Sequence, residues 1–315
     1  MLDFQSFLKQ GQSFASNIFD EALAVGLPAE TWDCDHLCFR VATSDEYLDY
    51  KNFLLQNGKL LSEAQVNGRA ICTFLLNTPF EIASGKVFVV ELPAPKKNSP
   101  YETGFEHIEI VMKQSFQNLK ESHSTLQWGN PTARILNSEL SLKLKSGQVK
   151  FHHLSLQRVI EIEECKWSDI VFDVSGTLSD FQNRLVPGIQ ELLLILKTQN
   201  FRLHIWTSRS KNSTVDFLER NKIIQHFSSL SCGQGFLQKP DLENFQGLLP
   251  ETHQNFIMVG DSLSDIEAGA NLKGLKAVAL WCGGEDKNYL LQAGAEIFLN
   301  HPKDLEKFLK EIGRI

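Results

Sequence analysis

No window of the chain reaches 18 apolar residues, which excludes a membrane-spanning helix. The amino terminus, "MLDFQSFLKQGQSFASNIFDEAL", spaces Phe and Leu at helical intervals among polar residues. It lacks the continuous apolar core of a signal peptide, so the expected compartment is the cytoplasm. C-x-x-C pairs are missing too. The six cysteines, Cys34, Cys38, Cys72, Cys165, Cys232 and Cys282, are too sparse for a disulfide scaffold and read as buried thiols. Nor is there an excess of positive charge. The net charge is -7, which argues against nucleic acid or an anionic membrane as partner and leaves small molecules and proteins. With 42% hydrophobic, 22% charged and 10% aromatic residues, the composition is that of a globular chain without low-complexity segments.

At 315 residues the chain is too long for one ordinary core and divides most simply into two domains, with a boundary expected near 165. After a first helix, "DHLCFRV" (35–41) reads as a strand. Thr43-x-x-Glu46 is a capping-box signature for a helix running to the turn at Asn57-Gly58. Three strand-like runs follow: "KLLSEAQV", "AICTFLLNTPFEIA", expected to break at its proline, and "KVFVVELP". The order then recurs, with strand "FEHIEIV", a helix over 114–127 and strands "TARILN", "LSLKLK" and "QVKFHHL". A β-α-β-β-β pattern therefore appears twice between about 35 and 154.

That doubled layout is the one found in the vicinal oxygen chelate (glyoxalase) superfamily, and the phrases "DHLCFRV", "LLSEAQVNGRAICTFLL", "VVELPAPK", "FEHIEIV" and "VKFHHLSL" resemble the YecM-like family over nearly all of residues 1–165. The resemblance implies paired βαβββ modules whose first and last strands carry metal ligands on an inner face. The residues at those positions are His36, Glu91, His107 and His152, with His153 and Glu161 as rivals to His152 because a one-residue change of register flips the face. Strand alternation puts Cys38 and Arg40 on the face of His36, and Glu109 on that of His107. Three imidazoles and a carboxylate suit Zn²⁺, Fe²⁺, Mn²⁺ or Ni²⁺ without choosing among them. Such a domain could bind a small ligand, act as a lid, sense without turnover, or carry isomerase, lyase or oxygenase chemistry.

From Asp169 the pattern changes to near-continuous apolar strands alternating with helices: "IVFDV", a helix over 188–199, "FRLHIWT", a helix over 212–222, "NFIMVG", a helix over 264–272, "KAVAL" and a last helix from about 303. This predicts a doubly wound parallel α/β sheet with its chemistry at the carboxyl ends of the strands. Polar residues stand there in order: Asp173 and Ser175 in "IVFDVSGTL", Thr207 in "LHIWT", Lys239 in "LQKPD", and Asp261 and Asp265 in "VGDSLSDIEAG". Ser264 and Glu267 suggest a capping box for the helix that follows.

These motifs resemble those of the haloacid dehalogenase (HAD) superfamily of phosphatases. The resemblance implies Asp173 as nucleophile forming an aspartyl phosphate, Thr207 and Lys239 binding the phosphate, and Mg²⁺ held by Asp173, the carbonyl of Ser175 and Asp261, with Asp265 steadying them. Ser175 departs from the pattern, because these enzymes usually carry a second aspartate there whose acid-base work is often worth about 10²–10⁴-fold. A "D-x-S-G" form resembles the branch related to phospholysine and phosphohistidine phosphatases, which implies phosphoester or phosphoramidate hydrolysis. The opposing class is a phosphate-binding protein without catalysis. About eight residues separate Thr177 from "VPGIQELL" and about thirty separate Thr207 from Lys239, gaps too short for a cap domain. The expected substrate is then a phosphorylated small molecule or phosphoprotein, met by an open site, by a homo-oligomer, or under the first domain as lid.

Overall fold

Helix α1 (Phe4–Ala24) buries Phe7, Leu8, Ala15, Ile18, Phe19 and Ala22, the stripe its apolar spacing predicts, and Asp3 caps it by accepting the Ser6 N–H at 2.7 Å. Gly11 lies where a Cβ would come 2.4 Å from the Phe80 ring, so a side chain there would push the helix off the sheet. The computed structural model describes residues 2–66, 68–96, 101–234, 238–245, 247–249 and 255–315. It divides into two compact units, one of Met1–Ala133 with Ser138–Ile160, the other of Arg134–Asn137 with Glu161–Ile315. Among the described residues no helix is long and apolar enough to cross a membrane.

In the first unit, α1 is followed by β1 (Asp33–Arg40), α2 (Ser44–Asn57), β2 (Gly58–Val66), β3 (Arg69–Ile82), β4 (Gly85–Pro93), β5 (Gly104–Val111), α3 (Phe116–Ser122), β6 (Leu140–Lys143) and β7 (Gln148–His152). The strands form one sheet in the order β2-β3-β4-β1-β5-β7-β6, with β1 parallel to β4, β5 parallel to β7, and β1 antiparallel to β5 where the two modules meet. The Thr43/Glu46 capping box forms as its signature predicts. An aromatic cluster of Phe7, Phe39, Phe80 and Phe105 fills the space under α1, with ring centroids 5.0–5.8 Å apart along its contacts.

The second module departs from the expected pattern. "TARILN" is not a strand: residues 134–137 belong to the second unit, where the Ile135 and Leu136 N–H groups donate to the Glu311 carboxylate at 3.0 Å. Among the described residues, only an isolated bridge between Trp128 and Leu142 stands beside β6 on that edge. The predicted 114–127 helix contracts to α3. Nor does Pro79 end β3; its missing N–H is absorbed where the pairing with β4 shifts between Leu75 and Phe80.

Helix α4 (Leu156–Glu164) leads to β8 (Asp169–Phe172), α5 (Ile189–Thr198), β9 (Arg202–Ser210), α6 (Lys211–Arg220), β10 (Phe227–Gly233), β11 (Phe256–Gly260), α7 (Leu263–Asn271), β12 (Leu275–Ala279), α8 (Lys287–Gln292), β13 (Ile297–Leu299) and α9 (Pro302–Glu311). The strands are all parallel in the order β10-β9-β8-β11-β12-β13, so the direction of winding reverses between β8 and β11. A crevice outside the carboxyl ends of those two strands is where open α/β sheets bind ligands. At the opposite end the buried Asp169 carboxylate accepts from Arg202 at 2.6 and 2.7 Å and pairs with His204 at 3.0 Å, pinning the start of β8 to β9. Among the described residues no cap domain interrupts the unit: 173–188 holds only tight turns and bridges, and 238–245 a short 3₁₀ turn.

Candidate active site and candidate metal centre

β8 and β11 run apolar to their carboxyl ends, and each is followed at once by an aspartate, Asp173 and Asp261. Their carboxylates and that of Asp265, in the first turn of α7, each offer an oxygen within 4.8 Å of the others. Lys239 is buried and its ammonium pairs with both Asp173 and Asp265. Thr207, fully buried in β9, accepts the Arg209 N–H at 3.3 Å. The structure thus gathers Asp173, Asp261, Asp265 and Lys239 into one cluster at the switch point, with Ser175 beginning the adjoining loop. Gly176 is obligatory there: its φ is +78°, and a Cβ would meet Asp261 Oδ2 at 2.0 Å.

The electrostatics follow from three carboxylates crowded out of water. Burial, then the charges of Asp265 and Asp173, push the Asp261 carboxyl up to about 7. Asp173 is also raised, by burial and by Asp265, against the pull of Lys239. Burial would depress Lys239, but Asp173 and Asp265 hold its pKa above the ordinary 10.5. Asp265 has a further task that differs from the expected cap. The box on α7 is formed by Ser262 and Asp265, not Ser264 and Glu267: the Asp265 carboxylate accepts the Ser262 N–H at 3.1 Å and its hydroxyl at 2.6 Å. One side chain therefore caps the helix and anchors the lysine.

Ser175 is exposed, and its hydroxyl accepts from Arg209 Nε at 2.6 Å. Arg209, absent from the expected set, also donates to Ser179 at 2.6 Å and to Asn183 at 2.8 Å. Its only sequence signal is an arginine two residues beyond Thr207.

In the first unit, His36 and Cys38 share a face of β1. Register places Glu109 of β5 beside His36, and both Glu91 of β4 and His107 of β5 beside Cys38. His36, Glu91 and His107 offer ligand atoms within 4.8 Å of one another, whereas His152 falls in a neighbouring trio with Glu109 and Glu139. Glu109 links the two: its carboxylate lies 3.4 Å from His36 Nε2, 3.2 Å from His107 Nε2 and 2.9 Å from His152 Nε2. The Nε2 atoms of His36 and His107 are buried and make no hydrogen bond despite this proximity. Their Nδ1 atoms are engaged from behind, by Asp35 at 2.8 Å and Glu106 at 3.1 Å. Burial alone would lower the His36 pKa, but Glu109 and Asp35 carry it well above 6.5. His153 turns away: its Nδ1 pairs with the Met112 carbonyl at 3.0 Å and its ring stacks on Phe116. Glu161 lies in α4, in the second unit.

A family model described as haloacid dehalogenase-like hydrolase matches residues 113–280, more than half of the chain, and the chain belongs to that family. Its N-terminal part carries a YecM domain, matched over residues 3–146 by the family model described as YecM protein. The matches overlap over 113–146, most of which folds in the first unit. Protein YecM of Escherichia coli (strain K12) is 29% identical over 157 residues, 44% of this chain and 83% of that protein. A phosphoglycolate phosphatase of Agrobacterium fabrum is 33% identical over 94 residues, 29% of this chain and 40% of that enzyme. One of Synechococcus elongatus is 30% identical over 135 residues, 42% of this chain and 62% of that enzyme. The chain thus spans less than two thirds of either phosphatase.

Proposed function

We propose that the second unit is a Mg²⁺-dependent phosphatase that hydrolyses phosphoric esters or phosphoramidates, with Asp173 as nucleophile. The observation that carries this reading is the cluster of Asp173, Asp261 and Asp265 about Lys239 at the point where the sheet reverses. A phosphate ester repels an approaching carboxylate, so attack by Asp173 needs cations beside it. Lys239 is one, and three hard oxygen donors suit Mg²⁺, which Asp173, Asp261 and the Ser175 carbonyl would hold with Asp265 behind them. When bound, the ion supplies a second positive charge for the phosphoryl oxygens. Thr207 lies in the adjacent strand as a hydroxyl to hydrogen-bond the phosphoryl oxygens. Attack by the Asp173 carboxylate forms the aspartyl phosphate and breaks the P–O or P–N bond, the leaving group takes a proton from solvent, and water then hydrolyses the aspartyl phosphate to phosphate and the free carboxylate. With Ser175 in place of an acid, protonation of the leaving group is weak, which favours leaving groups that need little of it. The test is phosphate release with Mg²⁺ from a panel of phosphoesters that includes phosphohistidine: the wild-type chain should turn over at least one member and Asp173→Asn none. Equal rates in the two proteins would refute the assignment.

A second reading concerns the YecM domain, and the buried, unbonded Nε2 atoms of His36 and His107 favour it. We infer that His36, His107 and Glu91 hold a divalent transition ion such as Zn²⁺, Fe²⁺, Mn²⁺ or Ni²⁺, with His152 and Glu109 completing the site. The fit is chemical: imidazoles braced at Nδ1 by Asp35 and Glu106 are the carboxylate–histidine pairs that orient metal ligands. When bound, such an ion supplies a Lewis acid for a chelating diol or keto acid.

A further inference from the structure

Two cations flank the Asp173 cluster, and they are paired differently. Lys239 is neutralised by two carboxylates. Arg209 spends three of its donors on neutral oxygens, those of Ser175, Ser179 and Asn183, and no carboxylate among the described residues lies within ion-pair distance of it. A guanidinium has five N–H donors, so two remain. The three bonds also fix the group in place: Ser179 is fully buried, and the Phe217 ring lies 5.5 Å from the guanidinium carbon. The Ser175 hydroxyl it bonds stands two residues beyond Asp173, which keeps the cation beside the cluster. Arg209 is only partly buried, and Ser175 beside it is exposed, so the cation stands at the open side of the cluster.

We propose that Arg209 is a specificity-determining residue that binds a second anionic group of the substrate, a carboxylate or a further phosphate, carried by the part of the molecule that leaves when Asp173 takes the phosphoryl group. The substrate class is then a small phosphomonoester with an acidic leaving portion. Cationic phosphoamines are disfavoured, because Arg209 would repel them. This inference rests on the phosphatase reading and narrows it. The chemistry follows from position: Ser175 has no proton of useful acidity to give, and a fixed positive charge bonded to it steers and steadies an anion instead.

The test is equilibrium binding of two non-hydrolysable probes to the full chain in Mg²⁺, phosphonoacetate, which carries a carboxylate, and methylphosphonate, which does not. Wild-type protein should bind phosphonoacetate about 10-fold more tightly, the scale of a charge-assisted contact at a partly open site. Arg209→Met should remove that advantage while changing methylphosphonate affinity less than about 3-fold. The Ser179→Ala, Asn183→Ala double variant loosens the loop but keeps the charge, and should keep most of the preference. Binding of both probes without preference, or an equal loss of both in Arg209→Met, would overturn the role of Arg209 and leave the phosphatase reading intact. Failure of wild-type protein to bind methylphosphonate at all would overturn the phosphoryl site and this inference with it.

Discussion

Asp173, the proposed nucleophile, should be a thermodynamic liability in the metal-free chain. Asp173, Asp261 and Asp265 place three negative charges against the single ammonium of Lys239, so Asp173→Asn takes the cluster from a formal -2 to -1. The rise of Asp261 from 3.8 to about 7 corresponds to about 4 kcal/mol. Burial is the largest cause, Asp265 the next and Asp173 the least of the three. With allowance for solvent screening of a partly buried group, relief from Asp173 is worth about 1 kcal/mol. Lys239 keeps Asp265 as partner, and the Asp173 carboxyl is itself held above its ordinary pKa, so its site favours a neutral side chain. Asp173→Asn should therefore stabilise the second unit by about 1 kcal/mol at pH 8 in chelator, raising its melting temperature by about 2–4 °C. Calorimetry of the full chain measures this, read on the transition that Mg²⁺ shifts. Added Mg²⁺ should then favour wild-type protein, which keeps the carboxylate of the proposed site. A loss of more than about 1 kcal/mol in metal-free Asp173→Asn would refute this account, because it would make Asp173 a net structural asset.

At the other end of the sheet the sign is opposite. Burial would raise the Asp169 carboxyl, but His204, Arg202 and Ser168 together hold it below its ordinary 3.8. Its contribution is thus present above about pH 4 and lost as pH falls through the depressed value. Asp169→Asn should cost about 3 kcal/mol at pH 7, and denaturant titrations should show the gap from wild type closing in acid; a gap independent of pH would refute the ionic role. In the first unit, the His36→Ala, His107→Ala pair should lower transition-metal content at fixed supply by at least about 10-fold, with His153→Ala unchanged, and full occupancy of the double variant would sink that site. Ser175→Asp should speed esters with poor leaving groups more than activated ones, since only the former need a proton; equal effects would argue that the serine is not a replaced acid.

Local chemistry was enough to read much of this from the chain. A run such as "IVFD" that ends on an acid has few places to go but a buried strand with a polar tip, and Thr43-x-x-Glu46 specifies a helix start through contacts three residues apart. Strand alternation likewise put His36 with Cys38, and His107 with Glu109, on common faces before any pairing was known. What needed tertiary structure is whatever depends on register or on distant partners. Residues 134–137 have strand-like letters, yet they stand outside the first sheet, where Glu311, 175 residues away or more, satisfies the Ile135 and Leu136 N–H groups. β13 and α8 are short, and β10 buries only Phe227 and Cys232 of its seven residues, so what holds them is contact with neighbouring elements rather than an apolar pattern of their own. Glu109 stands among three imidazoles only because β1, β5 and β7 align as they do. Arg209 meets Ser175 only because β8 and β9 are neighbours in the sheet, and so the fold alone decides which cation pairs with the Asp173 and Asp265 carboxylates and which bonds neutral oxygens.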